Sequence, residues 1–170
     1  MAQTDSDLYG FKLNIGHPGQ KVDLGSDRVE SFPADGTVHF GRGVVFNSDQ
    51  TAVEVPSDDS QTFAGVSLFT HAQMQDIDMS AKMGEQFSDG AMYRDTDTVS
   101  VLRSGVVYVE VTEDVDAGDT AYVDVTSDSD DYGKFTDASD DGDGNDNIEA
   151  GVFRTSADTG ELAAVEISLP

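Results

Sequence analysis

From Thr37 onward, apolar side chains recur in short runs at the spacing of strands rather than helices. "TVHFGRGVVF" (37–46), "TAVEV" (51–55) and "TFAGVSLF" (62–69) are rich in Val, Phe and Thr and are bounded by turn residues, which predicts strands. "DTVSVLRSGVVYVEVT" (97–112) alternates most cleanly, with Val99 and Val101, then, past Ser104-Gly105, Val107, Val109 and Val111. The glycine predicts a bulge or a hairpin corner at that point. "DTAYVDVT" (119–126), "GKFT" (133–136), "AGVFRT" (150–155) and "ELAAVEISL" (161–169) complete the set. Only "HAQMQDIDMSAKMG" (71–84) has a helical spacing, with Met74, Ile77 and Met83 on one side, and it predicts at most a short helix near 71–80.

Residues 1–35 differ from the rest. They are rich in Gly, Asp, Ser and Pro, and their large apolar residues (Leu8, Phe11, Leu13, Ile15, Val22 and Leu24) follow neither period. The expected organisation is therefore an extended N-terminal arm, 1–35, and a single β body, 36–170. Short strands separated by turns make the expected fold class all-β, a small sandwich or barrel. An Asp-rich loop, 127–147, interrupts the body between strands; long loops of this kind are functional or simply solvated.

Charge adds a statement about solvent. The chain carries 34 Asp plus Glu against 9 Lys plus Arg, a formal −25 over 170 residues. That much like charge repels itself and weakens a compact state in dilute buffer, whereas in molar salt the Debye length falls to roughly 3 Å. The acids are mostly Asp, and the lysines are only Lys12, Lys21, Lys82 and Lys134. Short carboxylates hold water and counter-ions with little exposed hydrocarbon. The composition fits a halophilic protein, of a haloarchaeal cytoplasm or brine, better than a disordered acidic tail, because the acids are interleaved with strand-like runs. Zero cysteines exclude disulfides and thiolate metal sites. No apolar run approaches the ~20 residues of a membrane span, and "MAQTDSDLYGF" has no secretory pattern, so no membrane partner is expected. Nucleic acid is not an expected partner either, since nothing here neutralises a phosphate backbone.

Candidate chemistry centres on "DASDDGDGNDNIEAG" (137–151), with five aspartates, one glutamate and two asparagines. A calcium EF-hand loop needs oxygen ligands at positions 1, 3 and 5, Gly at 6 and Glu at 12. Starting at Asp141 supplies Asp141, Asp143 and Asn145, but Asp146 stands where Gly belongs and Val152 where Glu belongs. Starting at Asp137 restores Gly142 and puts Ile148 at the last ligand. No helices are expected to flank either register. A weak Ca2+ site and a hydrated loop both remain open, and the expectation is that no cofactor is needed. The histidines His17, His39 and His71 have no metal-ligand spacing, and there is no G-x-S-x-G and no phosphate-cradling glycine loop. A carboxylate pair of the glycosidase kind is not distinguishable among so many acids. No enzyme is expected.

The order of segments carries more than any one of them. "SFPADGTVHFGRGVVF" (31–46), "FAGVSL" (63–68), "DTVSVLRSGVVYVEVTEDVDAGDTAYVDV" (97–125), "GKFT" and "AGVFRTSADTGELAAVEISLP" (150–170) follow one another in a succession that resembles the structural cement, or capsid decoration, proteins of tailed viruses. The acidity and the insert at 127–147 depart from that family's pattern, and both fit a haloarchaeal tailed virus. The resemblance implies a non-enzymatic virion protein, assembled in the host cytoplasm. It implies binding to the outer surface of the head and clamping of neighbouring major capsid protein subunits. It also implies grouping as a homotrimer at local threefold positions, with a dimer as the alternative. Capsid binding is expected from Leu8, Phe11, Leu13 and Ile15 of the arm, unless these pack on the protein's own body. The alternative is a receptor- or glycan-binding β module of a viral spike or fibre or a haloarchaeal surface protein, which would expose aromatics at loop tips; Tyr132 is the main candidate.

Overall fold

The computed structural model describes residues 16–22, 25–70, 92–125, 132–140 and 146–170. In chain order the strands are β1 (Arg28–Pro33), β2 (Val38–His39), β3 (Gly43–Phe46), β4 (Val53–Glu54), β5 (Phe63–Ser67), β6 (Met92–Tyr93), β7 (Thr98–Glu110), β8 (Thr120–Val123), β9 (Phe135–Thr136), β10 (Ile148–Phe153) and β11 (Leu162–Ser168). No helix occurs among the described residues, and the fold is all-β as expected. The short helix expected near 71–80 lies outside them.

The run 97–112 is neither a hairpin nor two strands. It forms one strand, β7, which serves as the spine of the sheet. The main sheet runs β4-β3-β5-β7-β11-β10-β8-β9, and β2 and β6 form a separate pair. Every strand pair of the main sheet is antiparallel. Leu102 of β7 faces Val66 of β5 on one side and Val29 of β1 on the other. Further along, Val107 lies between Val165 of β11 and the Lys21 bridge. One flank of the spine is thus the N-terminal chain throughout, while β5 and β11 share the other. A parallel bridge from Val111 to Phe135 joins β9 back to the end of the spine, and Thr112 N–H donates to the Phe135 carbonyl at 2.9 Å. This curls β7, β11, β10, β8 and β9 into a half-barrel.

The bulge expected at Ser104-Gly105 is present and changes what the spine's side chains face. Arg28 pairs with Ser104 and Val29 with Leu102, so Arg103 is the extra residue, and Gly105 has φ 137°. Val99 and Val101 enter a smaller core with Phe40, Val44, Val53 and Tyr93. Leu102, Val107, Val109 and Val111 enter the larger barrel core with Val123, Phe135, Phe153 and Val165. Odd-numbered positions point into one core before the bulge and into the other after it, because one extra residue exchanges the faces of a strand. β5 lies between the two cores and is buried along its whole length. Glycine is needed where backbones meet most closely. An added Cβ at Gly151 of β10 would run into the Glu166 carbonyl of β11.

Residues 28–33, expected within a strand-free arm, are a body strand. β1 pairs with β7 over six residues, yet its burial alternates only weakly, with Val29 exposed and Phe32 half-buried. Its place comes from backbone hydrogen bonds to the spine, which leave little hydrophobic pattern for sequence to show.

Candidate functional site

The proposed capsid-binding residues Leu8, Phe11, Leu13 and Ile15 lie outside the described residues. The segment that follows them is anchored to the spine. "GHPGQ" (16–20) makes a turn, with Gln20 N–H donating to the His17 carbonyl at 2.9 Å. Gly19 N–H then donates to the Tyr108 carbonyl at 2.8 Å, Tyr108 N–H to the Gln20 carbonyl at 2.9 Å, and Val22 N–H to the Val106 carbonyl at 2.9 Å. The glycines are required here: a Cβ at Gly16 would sit 2.5 Å from the Tyr108 ring, and at Gly19 (φ 78°) it would meet the Phe69 and Gly41 nitrogens at 2.7 and 2.8 Å. The chain from Gly16 onward is therefore fixed to the spine. The sequence showed only that this segment is rich in glycine and proline; neither the turn nor its partner, Tyr108, was read from it.

The calcium candidates Asp141, Asp143 and Asn145 also lie outside the described residues. The base of their loop is a hydrogen-bonded neck. Asp140 and Asp146 form an antiparallel bridge, and Asn147 N–H donates to the Ser139 carbonyl at 2.8 Å. Asn147, only 8% exposed, accepts from Val125 N–H at 3.3 Å and donates from Nδ2 to the Ala138 carbonyl at 3.0 Å. This asparagine, part of the suspected ligand run, closes the loop. Among the described residues no group of three or more His, Asp or Glu is arranged to hold a metal ion.

A second acidic feature was not foreseen. Asp114, Asp116, Asp119, Asp137, Asp158 and Glu161 line one cleft around Val115, Ser156 and Ala157, with no basic side chain among the described residues of its walls. Backbone bonds between Val115 and Ala157 (2.9 and 3.1 Å) draw the two turns together. Asp114 Oδ1 accepts from Thr159 N–H and Oγ1, both at 2.9 Å, which holds its carboxyl below the usual value. Asp116 accepts from the Ser156 hydroxyl at 3.2 Å. Asp137 goes the other way: burial, then the neighbouring charge of Glu113, push its carboxyl up, while Glu113 accepts from the Thr136 hydroxyl. Asp114 and Asp116 thus tie the turn at 113–119 to the turn at 156–161, Asp119 Oδ2 accepts from Asp116 N–H within its own turn, and the cleft is an anionic surface.

His17 and His39 play framework parts, and His71 lies outside the described residues. The His17 carbonyl closes the root turn, and the His39 carbonyl accepts from buried Ser67 Oγ at 2.6 Å. Tyr132, the aromatic expected at a loop tip, is half-buried, and its carbonyl accepts from Arg42 at 3.0 Å. The large apolar residues exposed among those described are three valines, Val22, Val29 and Val152, and no aromatic.

A family described as structural cement protein (E217 gp24/Pam3 gp6) matches residues 5–168. Among solved structures, a chain of "The capsid of Myoviridae Phage XM1" has the same fold, with a TM-score of 0.66 at 17% identity over 99% of this chain and 98% of that one. No curated protein matches the chain significantly.

Proposed function

This chain belongs to the phage structural cement protein family, and from that premise we propose that it decorates the outer surface of an assembled head and clamps neighbouring major capsid protein subunits against internal DNA pressure. The observation that carries the reading is the family match over 5–168, nearly the whole chain. The role requires no catalysis, only a rigid body and a grip. The bulged spine between two cores supports the first. The second is assigned to Leu8, Phe11, Leu13 and Ile15, which precede the root fixed at Gly16 and Gly19. Full burial of such side chains contributes about 1.5–3 kcal/mol each, enough to offset the entropy of ordering a segment on its partner.

The −25 charge supports a salt-rich medium for the particle, as for a haloarchaeal tailed virus. There the electrostatic part of docking is screened, and affinity rests on apolar burial and backbone hydrogen bonds. The copies group as trimers at local threefold positions or as dimers. Undecorated heads sedimented with the full chain, and with a chain lacking residues 2–15, test the grip. Loss of head binding with an unchanged strand-type circular dichroism spectrum is expected. Full decoration by the truncated chain would move the grip to the body. Mass spectrometry of purified virions should find hundreds of copies, and a handful would make the chain a tail or spike component.

A further inference from the structure

The strand registers place one row of side chains across the outside of the half-barrel. Val22 N–H donates to the Val106 carbonyl at 2.9 Å beside the Lys21–Val107 bridge. Val106 stands opposite Glu166, and Glu166 opposite Val152. Residues directly opposite on neighbouring strands share a face. The adjacent row, Val107, Val165 and Phe153, fills the larger core, so the row at Val106 points outward. Val22 and Val152, two of the three large apolar residues exposed among those described, belong to it at 41% and 42% exposure. Val106 between them is half-buried.

The next outward row adds Tyr108, half-buried and opposite Ala164, and Arg154, whose N–H donates to the Ala164 carbonyl at 2.7 Å. Arg154 Nη2 lies 2.6 Å from Glu166 Oε2. The charged side chains described in these two rows therefore cancel, on a chain of −25.

Given the cement reading above, on which this rests, we propose that the face made by Val22, Val106, Tyr108 and Val152 with the Arg154–Glu166 pair lies against a major capsid protein subunit and sets how the body sits on the shell. Two observations choose that occupant. Gly16 packs on the Tyr108 ring of this face, where an added Cβ would lie 2.5 Å from it. Ile15, the last of the residues assigned to the grip, is bonded to Gly16, so a shell held there adjoins the face. Charge is the second observation. With electrostatics screened in molar salt, docking rests on apolar burial, which these valines supply. The acidic cleft at 113–119 and 156–161 presents carboxylates instead, and a contact there would desolvate them at a cost.

The chain has no cysteine, so Val22→Cys and Val152→Cys report on the face by maleimide labelling, with Asp158→Cys in the acidic cleft as the control. All three full-length variants are expected to label fast when free. On decorated heads in molar KCl the two valine positions are expected to slow about tenfold, as at a well-packed interface, while Asp158→Cys keeps its rate. Full head occupancy with both valine positions still labelling at the free rate overturns the face and leaves the cement reading standing. Protection already present in the free chain also overturns it. If dilution removes that protection, a second copy covers the face; if deleting residues 2–15 removes it, the arm does. Val152→Asp supplies the second arm. It is expected to weaken head binding with an unchanged strand-type circular dichroism spectrum, and an unchanged affinity overturns the proposal. Heads that never take up the wild-type chain remove the cement reading itself, and this face with it.

Discussion

Two parts of the surface meet the same −25 charge in opposite ways. The N-terminal flank of the spine intersperses bases with acids: Lys21 holds Asp27 at 2.8 Å, and Arg28 and Arg103 stand on either side of Glu30. The rim built from the turns at 113–119 and 156–161 is acidic throughout. At the flank, backbone edges and exposed valines are available for contact. At the rim, Asp114 and Asp116 tie one turn to the other through Thr159 and Ser156. The difference shows that so acidic a composition need not be spread evenly: among the described residues, the rim is acidic and the flank of the spine mixes both signs.

Between the two regions, the larger effect of a glycine change is expected on the flank. Gly105 has φ 137°, and an added Cβ would lie 2.5 Å from Asp27 Oδ1, the carboxylate that Lys21 holds. Gly105→Ala should cost about 1–3 kcal/mol in urea unfolding at constant molar KCl. Gly118 of the rim also has positive φ but meets nothing within 4 Å, so Gly118→Ala should cost visibly less, about 1 kcal/mol. Equal costs would mean that the collision at Asp27 does not matter.

An intermediate effect is expected from the rim's charge. Unfolding midpoints should rise with KCl toward the molar range, as screening removes repulsion. Asp158→Asn combined with Glu161→Gln should raise stability at low salt and leave it unchanged in molar KCl. A parent chain with no salt dependence would remove the halophilic reading, and a double variant no better at low salt would shift the repulsion away from the rim.

The smallest effect concerns Asp137. Its carboxyl is pushed up by burial and by Glu113, so its ionised form opposes folding at neutral pH, and the opposition fades as pH falls through the raised value. Asp137→Asn should therefore raise Tm slightly at pH 7 and match the parent in acid. Asp114 behaves in the reverse sense. Its carboxyl is lowered by the Thr159 hydrogen bonds, so that contribution is present above the ordinary carboxylate value and is lost as pH falls through the lowered one. A variant at 137 that loses stability at pH 7 would show that Asp137 makes a favourable contact in its charged form.

Much of this molecule is legible from its local pattern. The strand runs at 37–46, 62–69, 97–112, 150–155 and 161–169 all contain strands, because a period of two is a property of neighbouring residues alone. The glycine in the middle of the longest run marked a bulge for the same local reason. β1 was missed because an edge strand held by main-chain bonds needs few buried side chains. The acidic rim was missed because its carboxylates come from three separate stretches of chain. The ordered succession of segments pointed to the cement family before any geometry was known, since a family pattern records which strands follow which.

The sequence alone determined an all-β chain, the positions of its main turns, its extreme acidity and the family it resembles. Tertiary structure decided which face of each strand is inside. Val101 and Val107 have the same parity and the same chemistry, yet they enter different cores because one unpaired residue at Arg103 rotates the spine between them. Tertiary structure also decided which acids share a cleft and, among the described residues, which strand pairs on one side only. Alternation is fixed by the geometry of a single chain, whereas face, cleft and edge are relations between chain segments that hydrogen-bond registers alone establish.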